Sequence, residues 1–211
     1  LNKAEGLVER VGARDSNGLA TASLTAKIAF ARGDFVRAAE AMEKVVATKP
    51  TREDVYRLVN ATSASGQEEK AIALGEQWVE RDAGNIPLRL LLAELYAKTG
   101  DHRGQVGQYQ AVLAVQPENV VANNNLAWIM ADTDPAAALG FADAAYRQAP
   151  DDTDVADTYG WVLHLNGSSE KALQILEKAY SNGSGSNSAK EHLNIVRQAL
   201  SLNSTSTVDR R

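Results

Sequence analysis

The chain has 211 residues, a formal net charge of −5 from 22 Lys+Arg against 27 Asp+Glu, and no cysteine. That balance argues against a dedicated nucleic-acid surface, which needs clustered Lys and Arg, and the missing thiols exclude disulfide frameworks, thiol catalysis and Cys-based zinc sites. Abundant alanine, only 5 prolines and 6% aromatics favour helices over a β-sandwich, and no apolar run approaches the ~20 residues of a membrane helix.

In chain order, Leu1 opens the sequence without a basic-then-apolar leader, so the chain is expected to be a mature or excised part of something longer. Short breaker strings then recur between apolar stretches: Arg32-Gly33-Asp34, Ser65-Gly66-Gln67, Thr99-Gly100-Asp101, Asp132-Thr133-Asp134 and Asn166-Gly167-Ser168. The glycines step by 33, 34 and 67, the last being two periods. A second series, Pro50, Ala83, Pro117, Pro150 and Ser184, steps by 33, 34, 33 and 34, and so does a third, Ala38, Ala71, Gln105, Ala138 and Ala172. Three agreeing series define a repeat.

Each repeat reads as two helices. Leu88, Leu91, Leu92, Leu95 and Tyr96 fall at helical spacing before Thr99-Gly100-Asp101 breaks the chain. A glycine there supplies the positive φ of a helix C-cap, and the following Asp can cap the next helix. The second helix should end near Val115, before Pro117. Helices of ~12–14 residues cannot bury their apolar faces alone, but stacking on the next pair can.

These units resemble tetratricopeptide repeats. Leu92-Ala93, Tyr96, Gly100, Tyr109 and Pro117 fit that pattern, as do Leu126-Ala127, Ala138, Ala145 and Pro150, and Tyr159-Gly160, Leu163, Gly167, Ala172, Leu176 and Ala179. The resemblance implies an all-α solenoid, a right-handed superhelix of helix-turn-helix repeats. Five repeats are placed at 19–51, 52–85, 86–119, 120–152 and 153–186. Residues 1–18 hold the second helix of a truncated preceding repeat, 187–202 a capping helix, and 203–211 a flexible polar tail. Two departures stand out. Gly75 and Trp78 exchange a bulky and a small place, a swap that can conserve volume. The helix after Asp101 carries Gly104 and Gly107, each costing about 1 kcal/mol against Ala, so it is expected to be the least stable.

A closer resemblance rests on Asn124-Asn125-Leu126-Ala127-Trp128, Ala142-Asp143-Ala144-Ala145-Tyr146, Ala149-Pro150-Asp151-Asp152 and Asp157-Thr158-Tyr159-Gly160-Trp161. These strings are similar to the repeat lipoproteins of the bacterial PEP-CTERM/exosortase system (PrsT type), associated with exopolysaccharide production. This resemblance implies a periplasmic or envelope-associated protein, with a cytoplasmic one still open.

The repeat resemblance also implies which residues meet a protein or peptide partner: Tyr56, Arg57 and Asn60; Glu94 and Lys98; Asn124, Asn125 and Trp128; Asp157, Trp161 and His164. Trp128 and Trp161 hold equivalent places and either present aromatic area to the partner or wedge between helices as core. The histidines His102, His164 and His192 show no metal-ligand spacing, and no P-loop, nucleophile elbow or paired carboxylates occur. Asp151, Asp152, Asp154 and Asp157 read as capping of the helix near 153, with a weak cation site as the other reading. The run 181–186 reads as a hinge. No catalytic residue, cofactor or metal is expected. The expected function is a monomeric, non-catalytic interaction scaffold without membrane insertion; the alternative is the substrate-positioning arm of a larger enzyme such as a glycosyltransferase.

Overall fold

The structure, a computed structural model, describes residues 2–15, 18–48, 50–181 and 187–208. It is all helical among those residues and divides into two compact units, 1–111 and 112–211. The first unit holds α1 (Asn2–Gly12), α2 (Leu19–Ala31), α3 (Phe35–Val46), α4 (Arg52–Ala64), α5 (Glu68–Arg81), α6 (Ile86–Thr99) and most of α7 (His102–Val115). The second holds α8 (Val120–Met130), α9 (Pro135–Gln148), α10 (Thr153–Leu165), α11 (Ser169–Ser181) and α12 (Asn187–Val208). Helices α2, α4, α6, α8 and α10 begin at the first residues of the ranges 19–51, 52–85, 86–119, 120–152 and 153–186.

Local chemistry sets the ends of the helices. Gly33, Gly66, Gly100 and Gly167 all sit at positive φ, between 76° and 82°, where a side chain would strain the turn. Asp34 accepts a hydrogen bond from Arg37 N, and Asp101 one from Gly104 N. Thr51 and Asp54 form a reciprocal capping box on α4. Asn85, Asn119, Asp134 and Asp152 cap α6, α8, α9 and α10 more simply, each side chain accepting from a backbone N–H of the first turn. The helix after 187 runs past Leu202 to Val208, where a flexible tail was expected from 203; the stretch 203–208 contains neither Gly nor Pro to stop it. Residues 182–186 of the expected hinge, and 209–211, lie outside the described residues.

Small residues let the helices close up. Ala38, Ala71, Ala138 and Ala172 are almost fully enclosed, and Gln105, which takes the alanine's place in α7, is also buried. In the first unit each helix from α1 to α5 packs on its successor, and α4 also meets α6. One core there gathers Val55, Val59, Ala71, Val79, Leu88, Leu91, Leu92, Leu95 and Tyr96. In the second, α8 meets α9 and α10, and α10 meets α11 and α12, around Tyr159, Val162, Leu163, Leu176, Leu193 and Val196. Each fully buried Leu or Val contributes roughly 1.5–3 kcal/mol.

The glycines inside helices have distinct duties. A Cβ on Gly160 would lie 2.6 Å from Leu176 Cγ, and one on Gly75 would lie 2.6 Å from Leu92 Cδ2. The space at Gly75 is therefore filled by the following repeat's Leu92. Trp78 is half-buried, with the Arg81 guanidinium 4.9 Å above its ring. The two glycines of α7 also differ: a Cβ at Gly104 would strike the Tyr96 ring at 2.6 Å, whereas Gly107 faces open space. Tyr96 cannot easily move aside, because it is buried and its hydroxyl donates to Glu76.

Gly107→Ala should therefore raise stability by about 1 kcal/mol through helix propensity, and Gly104→Ala should lower it by about 1–2 kcal/mol through overpacking; urea unfolding of both variants checks the opposite signs. A second expectation concerns alkaline pH. Burial, then the hydrogen bond to Glu76 and the charges of Glu76 and Asp101, push the Tyr96 hydroxyl well above its usual value. Its contribution is complete below the ordinary tyrosine value near 10 and is lost as pH rises beyond it, because the unfolded state ionises first. Tyr96→Phe should flatten the fall of the urea midpoint between about pH 9 and 11; Tyr109, also raised by burial, keeps part of that slope.

Candidate functional site

Three of the residues placed at a partner surface converge in the first unit. Tyr56, Arg57 and Asn60 of α4 line a hollow of about 370 Å³ with Lys27 and Phe30 of α2 and Met42 of α3. Ala26, Ala38 and Ala61 complete its floor, and all three are buried. The side chains that would block it are therefore methyl groups, and the helical register puts the longer residues at its rim. Glu53 accepts from Arg57 Nε at 2.8 Å across one helical turn, which holds the guanidinium along α4. Phe30 is 41% exposed and meets Phe35 edge-on at 5.1 Å. An apolar floor with a few polar groups at the rim is the usual make-up of a recognition pocket. Phe30, Lys27 and Met42 were not singled out in the sequence; Lys27 and Phe30 hold the ninth and twelfth places of α2, as Trp161 and His164 do in α10, which was the available signal.

Glu94 and Lys98 are exposed on α6 and do not line this hollow. The Glu94 charge instead helps burial to raise the Tyr109 hydroxyl.

The remaining candidates lie in the second unit, where α12 rearranges their roles. His192 is buried and stacks on Trp161, with ring centroids 4.4 Å apart and planes 14° from parallel. It also packs against Trp128 at 5.8 Å, and His164 flanks Trp161 at 5.5 Å. The two tryptophans are thus linked through an imidazole that the sequence reading had left without a role. Trp128 is 48% exposed, while Trp161 is half-buried against the core. The surface and core readings of the pair therefore divide between its members.

Asp157, expected to face a partner, is instead committed to α12: it is buried, accepts from His192 Nδ1 at 2.8 Å and from Ser188 Oγ at 3.2 Å. A buried carboxylate needs such donors to offset its lost hydration. Asn125 donates to its own helix at Val121 O, 2.8 Å away, and the Oδ1 of Asn124 is enclosed without a donor. His164 shares a 2.9 Å hydrogen bond with Ser169. The acidic cluster is dispersed rather than convergent. Asp152 caps α10, Asp151 pairs with Lys178 at 3.1 Å, and Asp157 holds His192. Among the described residues no group of His, Cys, Asp and Glu is arranged to hold a metal ion, and no helix is long and apolar enough to cross a membrane.

No family model matches the chain, and no curated protein does. Solved structures do. A tetratricopeptide repeat protein from Parabacteroides merdae ATCC 43184 superposes with a TM-score of 0.73 at 14% identity, covering 91% of this chain and 77% of that one. YrrB, described as a TPR protein with an unusual peptide-binding site, gives 0.65 at 16% identity, covering 87% and 96%. MamA from Desulfovibrio magneticus RS-1 gives 0.66 at 13% identity, covering 80% and 97%. The likeness is one of fold, and it establishes an all-α solenoid of the tetratricopeptide-repeat kind.

The Asp157–His192 contact makes a sharp expectation. His192→Ala leaves a buried carboxylate without its main donor and should cost about 2 kcal/mol. His192→Asn, which keeps an N–H near the position of Nδ1, should recover much of that. Urea unfolding followed by tryptophan emission reads both; equal losses would mean that ring packing, not the hydrogen bond, sets the cost.

Proposed function

We propose that the protein is a non-catalytic scaffold that holds a segment of a partner protein on the faces of the first helices of its repeats. The carrying observation is the convergence of Tyr56, Arg57 and Asn60 on the apolar-floored hollow between α2, α3 and α4. A bulky apolar side chain of the partner enters the hollow, while Tyr56 and Asn60 meet the flanking backbone. Because the lining side chains sit on packed helices, little ordering is needed when the segment docks. The likeness to YrrB, whose description names a peptide-binding site, supports this reading. The similarity of the Asn124–Trp128 and Asp157–Trp161 strings to PEP-CTERM-system repeat lipoproteins supports a place in bacterial envelope assembly, in exopolysaccharide export or protein sorting, and with it a periplasmic or envelope location.

Selection of displayed random peptides on the purified chain tests the binding reading. Enriched peptides should share one bulky apolar position. Their affinity should fall about tenfold or more in Tyr56→Ala and Met42→Ala, measured well below the melting temperature of each variant because both side chains also pack against the core. No enrichment, or affinities indifferent to both substitutions, would sink it.

A further inference from the structure

We infer that the second compact unit carries a docking face of its own, separate from the hollow in the first, and that it takes a cationic amphipathic segment of another protein. Trp128 of α8, Trp161 of α10 and Ile195 of α12 recur at steps of 33 and 34 and hold the ninth place of their helices. Large apolar side chains are left in water along this row: Trp128 is 48% exposed and Ile195 39%. Val121, 48% exposed, lies two turns before Trp128 on the same side of α8. His192 touches both tryptophans, so the row is bridged by rings from α8 to α12. The Asp157 hydrogen bond fixes that bridge.

Charge identifies the occupant. In helical register with the row stand Asp132 just beyond α8, Asp154 on α10 and Glu191 on α12. Counted from Val120, Thr153 and Asn187, the second, fifth, sixth, ninth, twelfth and thirteenth places, which share the side of Trp128, Trp161 and Ile195, hold no Lys or Arg. The described cations of this unit lie elsewhere, Lys171 for one donating to the Tyr159 hydroxyl at 2.8 Å. Arg147 pairs with Asp143 at 3.2 Å, Lys178 with Asp151 at 3.1 Å and Arg197 with Glu177 at 2.8 Å. Lys190 and Arg197 project from the side of α12 away from Ile195. The corresponding places of α2, α4 and α6 show no such bias, since Lys27, Arg57 and Lys98 stand among Glu53 and Glu94. An exposed apolar row edged by carboxylates and, among the described residues, by no Lys or Arg is complementary to apolar residues flanked by Lys or Arg. The open face of Trp128 can in addition receive a guanidinium. An acidic segment meets repulsion there.

The test uses the full chain and two synthetic peptides of about sixteen residues, with leucines at helical spacing and with either Lys/Arg or Glu at all other places. Calorimetry and tryptophan emission follow binding. The basic peptide should bind at least about tenfold tighter than its acidic twin at low salt, with the ratio shrinking as salt rises. Trp128→Ala should weaken the basic peptide about tenfold. Glu191→Lys should weaken it severalfold and should not weaken the acidic one. Because Trp128 is half exposed, its variant should melt with the parent. If it does not, Ile195→Lys serves as the second probe and should also weaken the basic peptide. Equal affinity for the two peptides, or a basic-peptide affinity that neither Trp128→Ala nor Ile195→Lys moves, overturns the inference. An emission change with a neutral oligosaccharide and with neither peptide also overturns it and points to a carbohydrate platform.

Discussion

The structure depends on how closely two helices can approach. At about 8 Å between axes, leucines from facing helices would collide; with alanine or glycine on one side, one leucine can enter the opposing surface. Gly160 against Leu176 and Gly75 against Leu92 are two instances. Both leucines are almost fully enclosed, so each glycine cedes its own packing to a larger neighbour. Because the small residue recurs once per period, the close approach recurs too, and hairpins that could not stay dry alone bury their faces on one another.

This constraint explains which features were legible in the sequence. Turn glycines, caps and enclosed alanines are local or strictly periodic, and they can be read from spacing. Gly33, Gly66, Gly100 and Gly167 adopt the left-handed backbone that their position after a helix implies. The duty of an individual glycine is not periodic. Gly104 and Gly107 look alike in sequence, yet one makes room for the Tyr96 ring and the other faces open space. The difference is set by a side chain on another helix. The exchange at Gly75 and Trp78 is similar: both lie on α5, but the filling group comes from α6.

The candidate site was legible to the extent that it follows helical register. Tyr56, Arg57 and Asn60 share one side of α4 because they fall at near-helical intervals, and that side borders the hollow. Register does not reveal what comes across from a neighbouring helix. Asp157 and His192 are 35 residues apart, and their 2.8 Å hydrogen bond has no local signature. Counted from Asn187, His192 holds the sixth place of α12 and Ile195 the ninth, so α12 repeats the register of α8 and α10 although it stands where a cap is expected.

The role of α12 follows from the same geometry. A terminal helix that merely covered apolar surface could be replaced by any amphipathic segment of suitable volume. This helix also places an imidazole flat on Trp161 and within reach of Trp128, and it anchors that imidazole to a carboxylate on α10. Stacking limits the tilt of the Trp161 ring, and the hydrogen bond limits the rotation of His192, so the aromatic row has few alternative arrangements. Trp128 keeps an open face because α8 directs it outward beyond the shelter of its neighbours. A large aromatic ring held in water on a rigid helix has lost much of its freedom before any partner arrives, so docking there would order little that is not already ordered.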